Sequence, residues 1–565
     1  MYFPKLSAPE QTRVTISKFQ GYDRRERIEP GSFAEMKNFC SDALPALKTR
    51  PLRGWVASVS DPHGITAKDC LIWVGGHTLY IGGQAAPLTL TASDKQLISM
   101  GAYLVIWPDK KYINTQDWSD CGSLENTVTV SGDVDCCLCR ADGTELSGYT
   151  VNDQAPDAPE EGALWMDGEH VLREYTAGAW QEVEDICLRL SAPGIGAGFA
   201  AGDGIAVTAL EGSYLILRAE ANSLLLRGNT VLGSSLQGPV ILRRYVPDMD
   251  YIVECGNRLW GCKYGMVDGK PVNEIYASAL GDFKNWNTFA GLSTDSYAAQ
   301  RGSDGQFTGA VTHLGSPIFF KENCMERVYP SAAGAHQVVT VTCPGIKKGA
   351  YRSPAVVDGT LLYQGVDGIY AFDGSLPVPV SQALGTTVYS GGAGGALGGK
   401  YYLAVTDSTG ERHVLVYDLR RRLWHHEDNL AVQGFAACDG ELFGLTNNTV
   451  YAMRGSVGTP DSSITWNIAT GELGLDTPYG KYLQRLELRF LMAGRATVRV
   501  TVSYDGGTTW EQATSLQSTA AAPPKAMVCH IHPRRCAQLR LRLNGMGEIT
   551  LYSVSAVYEK GSDLL

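Results

Sequence analysis

Residues 400–428, KYYLAVTDSTGERHVLVYDLRRRLWHHED, decide how the rest of the chain is read. KYYLAVTD reads as a strand, STGER as a turn, HVLVYDL as a second strand, and RRRLWHHED leads out. The next stretch, 431–453, AVQGFAACDGELFGLTNNTVYAM, supplies two more short strands, with turns at Asp439-Gly440 and Asn447-Asn448. Short apolar alternations closed by Gly, Asp or Asn are the strand-and-turn signature. Four antiparallel strands within about 50 residues have the length and layout of one propeller blade.

The same phrase returns with drift. DCLIWVGGHTLYIGG covers 69–83 and QLISMGAYLVIWPDKKYINTQD covers 96–117. Related stretches fill 257–286, 311–330 and 353–375, each with a turn, an apolar strand, a second turn and a further strand. A blade cannot bury both faces alone, so such units stack around an axis. The usual blade length of about 40–50 residues predicts five to seven of them.

Two segments break the pattern. Residues 125–245 lack the blade phrase and carry a Pro- and acid-rich stretch at 154–162, read as a linker or long turn, then two aromatic hairpin strands and a Gly-rich segment. From about 462, long alternating strands such as YLQRLELRFLMAGRATVRVTVSYDGGTTW suggest a β-sandwich. The predicted fold is therefore all-β: a β-propeller core with an inserted β module and a C-terminal β-sandwich. Its predicted divisions are 1–124 (N-terminal segment and first blades), 125–245 (inserted module), 246–461 (remaining blades) and 462–565 (sandwich).

Composition narrows the function classes. At 44% hydrophobic and 19% charged over 565 residues, the chain is globular and long enough for several domains. No run of about 18 apolar residues predicts a membrane span. The opening MYFPKLSAPEQTRV lacks a basic cap followed by an apolar stretch, so no secretory signal is expected, and folding in a cytoplasm is. The net charge of −11 and the absence of a basic stripe argue against gripping nucleic acid through its phosphates. DNA sliding past an acidic wall stays compatible. Arg420, Arg421 and Arg422 read as a solvated hairpin end, and the 14 cysteines as buried thiols.

Candidate chemistry is sparse. No phosphate loop, nucleophile elbow, zinc-protease or dinucleotide fingerprint is present. GGAGGALGG at 391–399 precedes a strand rather than a helix, so it reads as a flexible connection and not a phosphate cradle. Cys136, Cys137 and Cys139 crowd together without the second ligand pair that zinc uses. Cys529-His530-Ile531-His532…Cys536 places the two histidines on the face opposite Cys529, and His425-His426 is assigned no role. No cofactor, metal or catalytic residue is expected, nor the carboxylate pair that glycoside cleavage needs. Ser503, Asp505, Gly507 and Trp510 fit S-x-D-x-G-x-T-W, the Asp-box hairpin of sialidases and other β proteins, read here as a structural turn.

The stretch 19–375 carries a resemblance. Phe19-Gln20-Gly21-Tyr22-Asp23, Ile28-Glu29-Pro30-Gly31, Met36-Lys37-Asn38-Phe39 and Leu47-Lys48-Thr49-Arg50-Pro51 stand in an order similar to that of phage tail and head–tail proteins. Arg50-Pro51-Leu52-Arg53-Gly54 departs slightly from the last step. Asn257-Arg258-Leu259-Trp260, Gly281-Asp282-Phe283-Lys284-Asn285-Trp286, Pro317-Ile318-Phe319-Phe320 and Gly365-Val366-Asp367-Gly368-Ile369-Tyr370 follow in order. The segment 155–165 is similar to small modules inserted in phage tail proteins. Together they resemble the propeller-bearing tail nozzle and packaged-DNA-stabilisation group of phages and prophages.

The resemblance implies a virion structural protein and not an enzyme. It implies a homo-oligomeric ring, with a hexamer as the expected size, that contacts neighbouring tail proteins and is assembled in the host cytoplasm. Two alternatives stay open: a receptor- or glycan-binding tail component, and a polysaccharide-cleaving propeller.

Overall fold

The computed structural model describes residues 10–561 except 209, 229–234, 290 and 520. Residues 1–9 of the opening stretch, on which the leader expectation rests, lie outside the described residues. The fold is all-β. Beyond strands and turns, the described residues hold one short 3-10 helix, Gln382–Leu384. No helix among them is long and apolar enough to cross a membrane.

The chain divides into two compact units. The first comprises 1–94, 320–325 and 341–565. It contains four blades. Blade 1 runs through Pro62–Ala67, Leu71–Gly75, Thr78–Ile81 and Gln84–Thr89. Blade 5 comprises Ala355–Val357, Thr360–Gln364, Ile369–Phe372 and Val378–Pro379. Blade 6 comprises Tyr389–Leu397, Lys400–Asp407, Arg412–Asp418 and Leu423–His426. Blade 7 begins with Gly434–Cys438, Glu441–Leu445 and Thr449–Ala452, and its fourth strand is Gly54–Ser58, paired Thr449↔Ser58 through Ala452↔Gly54. First strands pack side by side, blade 5 on 6, 6 on 7 and 7 on 1.

Two sequence readings are corrected in blades 6 and 7. Residues 400–453 are not one blade. Their strands fall in two neighbouring sheets, because the outer strand of blade 7 arrives from nearly 400 residues upstream and leaves 434–452 as three strands of its own. GGAGGALGG is not a flexible connection either, for most of it lies in the first strand of blade 6, Tyr389–Leu397. Glycine is a poor strand former, but here close approach overrides propensity. A Cβ on Gly395 would stand 2.6 Å from Cβ of Phe435, and one on Gly394 3.0 Å from the Tyr401 ring.

The rest of this unit is the sandwich. One sheet orders Phe39–Cys40, Leu47–Thr49, Ile549–Lys560, Lys481–Ala493 and Ala521–His530, with Gln11–Ile16 also on Ile549–Lys560. The other extends blade 6 through Gly21–Tyr22, Ser32–Lys37, Thr465–Thr470, Arg540–Met546, Ala496–Ser503 and Glu511–Ser518. Ala496–Ser503 alternates between buried and solvated positions, so Val498, Val500 and Val502 meet Leu486, Leu488 and Phe490 in one core. The N-terminal segment differs from its expected grouping with the first blades: residues 11–49 supply sandwich strands, where their apolar residues Phe33, Met36, Phe39 and Leu47 are buried.

The second unit comprises 95–319 and 326–340. Blade 2 spans Gln96–Met100, Tyr103–Trp107, Lys111–Asn114 and Cys121–Ser123. Blade 3 spans Tyr251–Glu254, Leu259–Val267, Lys270–Ala277 and Tyr297–Gln300. Blade 4 is the sheet of Gly309–His313, Ser316–Phe320, Cys324–Tyr329 and Gln337–Thr342, less its hairpin end. Between blades 2 and 3 in the chain comes an eight-stranded sheet, with Asn126–Val130 at one edge paired to Val240–Arg244 and Ser235–Leu236 at the other, closed on a core of Leu138, Leu188, Leu190, Ile216, Leu226 and Leu242. A separate four-stranded sheet at 150–182 carries the aromatic hairpin strands.

Candidate functional site

The Asp-box residues form a closed local turn after Ala496–Ser503. Ser503 Oγ donates to Asp505 Oδ1 at 2.7 Å and accepts the Gly507 N–H at 2.9 Å. Asp505 also takes the Thr509 N–H at 2.9 Å and its hydroxyl at 2.5 Å. The Thr509 hydroxyl, then its N–H and the Ser503 hydroxyl, hold the Asp505 carboxyl well below the usual range. Trp510 Nε1 donates to Gly507 O, and the Arg542 guanidinium lies 4.0 Å from the indole centroid. Every Asp505 contact above is local to the turn, which gives it a structural job.

The other sequence candidates scatter. Cys136, Cys137 and Cys139 share one strand, with the Cys137 and Cys139 sulfurs 3.7 Å apart and both thiols free. The strand Ala521–His530 ends before His532, and Cys529 and Cys536 are buried free thiols. In the Arg420–Arg422 turn, Arg420 makes an exposed bridge to Asp358 and Arg421 bridges to the buried Asp418. In the aromatic hairpin Trp165 is buried and donates to Asn152 O, with Trp180 packed on its edge at 5.5 Å.

His425 and His426 matter more than their sequence suggested. Both sit in the last strand of blade 6. His425 is buried with neither ring nitrogen bonded. Burial, helped by nearby Lys400, pushes its pKa down to about 3, so it is neutral. His426 joins a chain: Asp407 Oδ2 to His413 Nε2 at 3.1 Å, His413 Nδ1 to His426 Nε2 at 3.3 Å, and His426 Nδ1 to Met36 O at 2.6 Å. Asp407, Glu411 and His413 bring donor atoms within 4.8 Å of one another. The Asp407 oxygens, however, already accept from Thr409, Glu411 N–H and His413.

The resemblance motifs lie in buried polar networks. Arg53 donates to Asp428 Oδ2 at 2.5 Å and Glu427 Oε2 at 2.8 Å. Arg50 holds Asn38 Oδ1 at 2.7 Å and reaches Asp428 at 3.4 Å, while Asn38 donates to Thr465 O. In the second unit, Arg258 is buried and caps the carbonyls of Ser278, Asp295 and Ser293.

A concavity lies in the first unit, near where first strands of several blades begin. It is a cavity of 490 Å³ lined by Pro62 and His63 of blade 1, Gly349, Tyr351 and Arg352 ahead of blade 5, Gly391, Gly392 and Arg412 of blade 6, and the Leu430–Gln433 loop entering blade 7. Arg352 cross-links its wall, donating to Gln433 O at 3.3 Å and His63 O at 3.1 Å, with Asp94 at 3.5 Å. Asp94 is the one carboxylate among the described lining residues. No single motif marks the cavity, because its residues come from eight separate stretches of chain.

An all-β propeller protein with a sandwich built from both ends of the described chain and a blade-end cavity is the class that fold and site define. No protein-family model and no curated protein matches the chain. Solved structures similar to it include the exo-β-1,3-galactanase of Phanerochaete chrysosporium, at 10% identity over 54% of this chain and 94% of that one, TM-score 0.20. Another is PorZ of the Porphyromonas gingivalis type IX secretion system, at 9% identity over 89% and 76%, TM-score 0.25. A third is an engineered family-43 glycoside hydrolase with endo-xylanase and exo-arabinofuranosidase activity, at 10% identity over 54% and 97%, TM-score 0.21. The expectation that the chain is not an enzyme is corrected here: glycoside hydrolases stand among the structures it matches, and that exclusion is withdrawn. At such identities and scores the likeness itself assigns no activity or substrate.

Proposed function

We propose that this chain is a structural component of a phage or prophage tail, of the nozzle and packaged-DNA-stabilisation kind, acting as a homo-oligomeric ring. The observation that carries the reading is the ordered series of motif residues along 19–375. Their roles fit it: Asn38, Arg50 and Arg53 tie the sandwich to Glu427 and Asp428, and Arg258 secures the chain around blade 3. Light scattering with negative-stain imaging of the purified chain tests this. A ring of several chains with an open centre is expected; a monomer at every concentration sinks it.

A second reading, a receptor- or glycan-binding tail component, is favoured by the 490 Å³ cavity and its mixed polar wall. Pockets of about 300–1,000 Å³ with a few convergent polar groups are the ordinary form of a small-ligand site.

A further inference from the structure

We infer that the blade-end cavity is a binding site for an anionic sugar, with Arg412 reading its carboxylate. The inference rests on the glycan-binding reading and is independent of ring assembly.

Charge comes first. The whole chain carries −11, yet the cavity has two guanidiniums, Arg352 and Arg412, against one carboxylate, Asp94. Asp94 faces Arg352 at 3.5 Å, which compensates that pair. His63 is matched by Asp61 at 3.0 Å. Arg412 has no acidic partner among the described residues. Strand alternation puts it on the face of blade 6 shared by Ala404 and Thr406, opposite His413 and the Asp407 chain. One uncompensated cation thus lines a concave wall.

The remaining wall suits a sugar ring. Gly349 and Gly391 have positive φ, and a Cβ on either would meet nothing within 4 Å, so the wall there is bare backbone with room beside it. Gln433 Nε2 donates to Asn447 Oδ1 at 3.0 Å, which fixes two amides that have further capacity for ligand hydroxyls. A guanidinium fork matches a carboxylate in two parallel hydrogen bonds. A single spare positive charge balances a monoanion, whereas a phosphate dianion would also face Asp94. The chemistry points to a uronic or other carboxylated sugar.

Titration calorimetry of the full chain tests this with D-glucuronate, D-glucose and inorganic phosphate, on the native protein, Arg412→Gln and, as a surface-charge control, Arg420→Gln. Glucuronate is expected to bind native protein and the control alike, and Arg412→Gln to weaken it about tenfold or more, the usual scale of a charged hydrogen bond. Glucose is expected to bind more weakly, and phosphate not to compete. Thermal melts check that Arg412→Gln stays folded. Equal binding of glucose and glucuronate, unmoved by Arg412→Gln, would leave the glycan reading standing and overturn the carboxylate assignment. Phosphate displacing glucuronate at matched concentration would overturn the sugar part. Binding of none of the three would remove both.

Discussion

Single residues decide how firmly the propeller and sandwich of the first unit are joined. Arg53 is buried and bonded to two carboxylates, Glu427 and Asp428. Removing one side of a buried pair strands the other charge, which costs about 3–5 kcal/mol. Arg53→Ala is therefore expected to lower urea-unfolding stability by that order. Arg420→Ala, which loses only an exposed bridge to Asp358, should shift it by about 0.5 kcal/mol or less. A pH effect is set one residue before His426. His425 has a folded pKa of about 3 against an ordinary 6.5, lowered by burial and then by Lys400. Between those values the unfolded chain binds the extra proton, so stability falls as pH drops from about 6.5 towards 3 and is flat above. The Asp42 carboxyl acts further down. Burial would raise it, but Lys400 and Arg454 outweigh that and hold it at about 2, so its contribution is lost only below the usual Asp range. Thermal melts of His425→Phe should lose the upper part of the acid slope and keep the lower. A slope unchanged by the substitution would rule His425 out as its source. Neither histidine's place was legible beforehand, since partners such as Met36 O are set by pairing across the fold.

At the scale of elements, glycine has a meaning that local propensity misses. The first strand of blade 6 is glycine-rich because blade 7 comes so close to it. Gly395→Val would drive a branched side chain into Phe435 and Leu442. Overpacking of this kind costs about 1–3 kcal/mol, and hydrogen exchange should show lost protection in both Tyr389–Leu397 and Gly434–Cys438. Protection lost in one strand alone would mean the two blades are not coupled there. Strand spelling itself was legible: 400–407 and 412–418 are strands where KYYLAVTD and HVLVYDL were read. The Asp-box was legible for the same reason, since Ser503, Asp505 and Thr509 bond within seven residues of one another.

For the whole molecule, long-range pairing governs. Gln11–Ile16 pairs with the strand Ile549–Lys560, and Gly54–Ser58 completes blade 7. A chain lacking residues 1–58 is therefore expected to lose exchange protection in Thr449–Ala452 and Ile549–Lys560, some 400 to 500 residues downstream. Native-like protection in both would contradict the pairing. Contacts of such separation also make folding slow relative to local hairpins.

The sequence by itself determined the all-β class, the blade phrase, the C-terminal alternation and the Asp-box turn. Each is written in the period and punctuation of residues a few positions apart. Only tertiary structure decided that blade 7 borrows Gly54–Ser58, that residues 11–49 belong to the sandwich, and that Arg352 and Arg412 line one cavity. A backbone edge pairs with whatever strand the folded chain brings alongside, and a concave site gathers side chains from many stretches. Neither leaves a mark in local order.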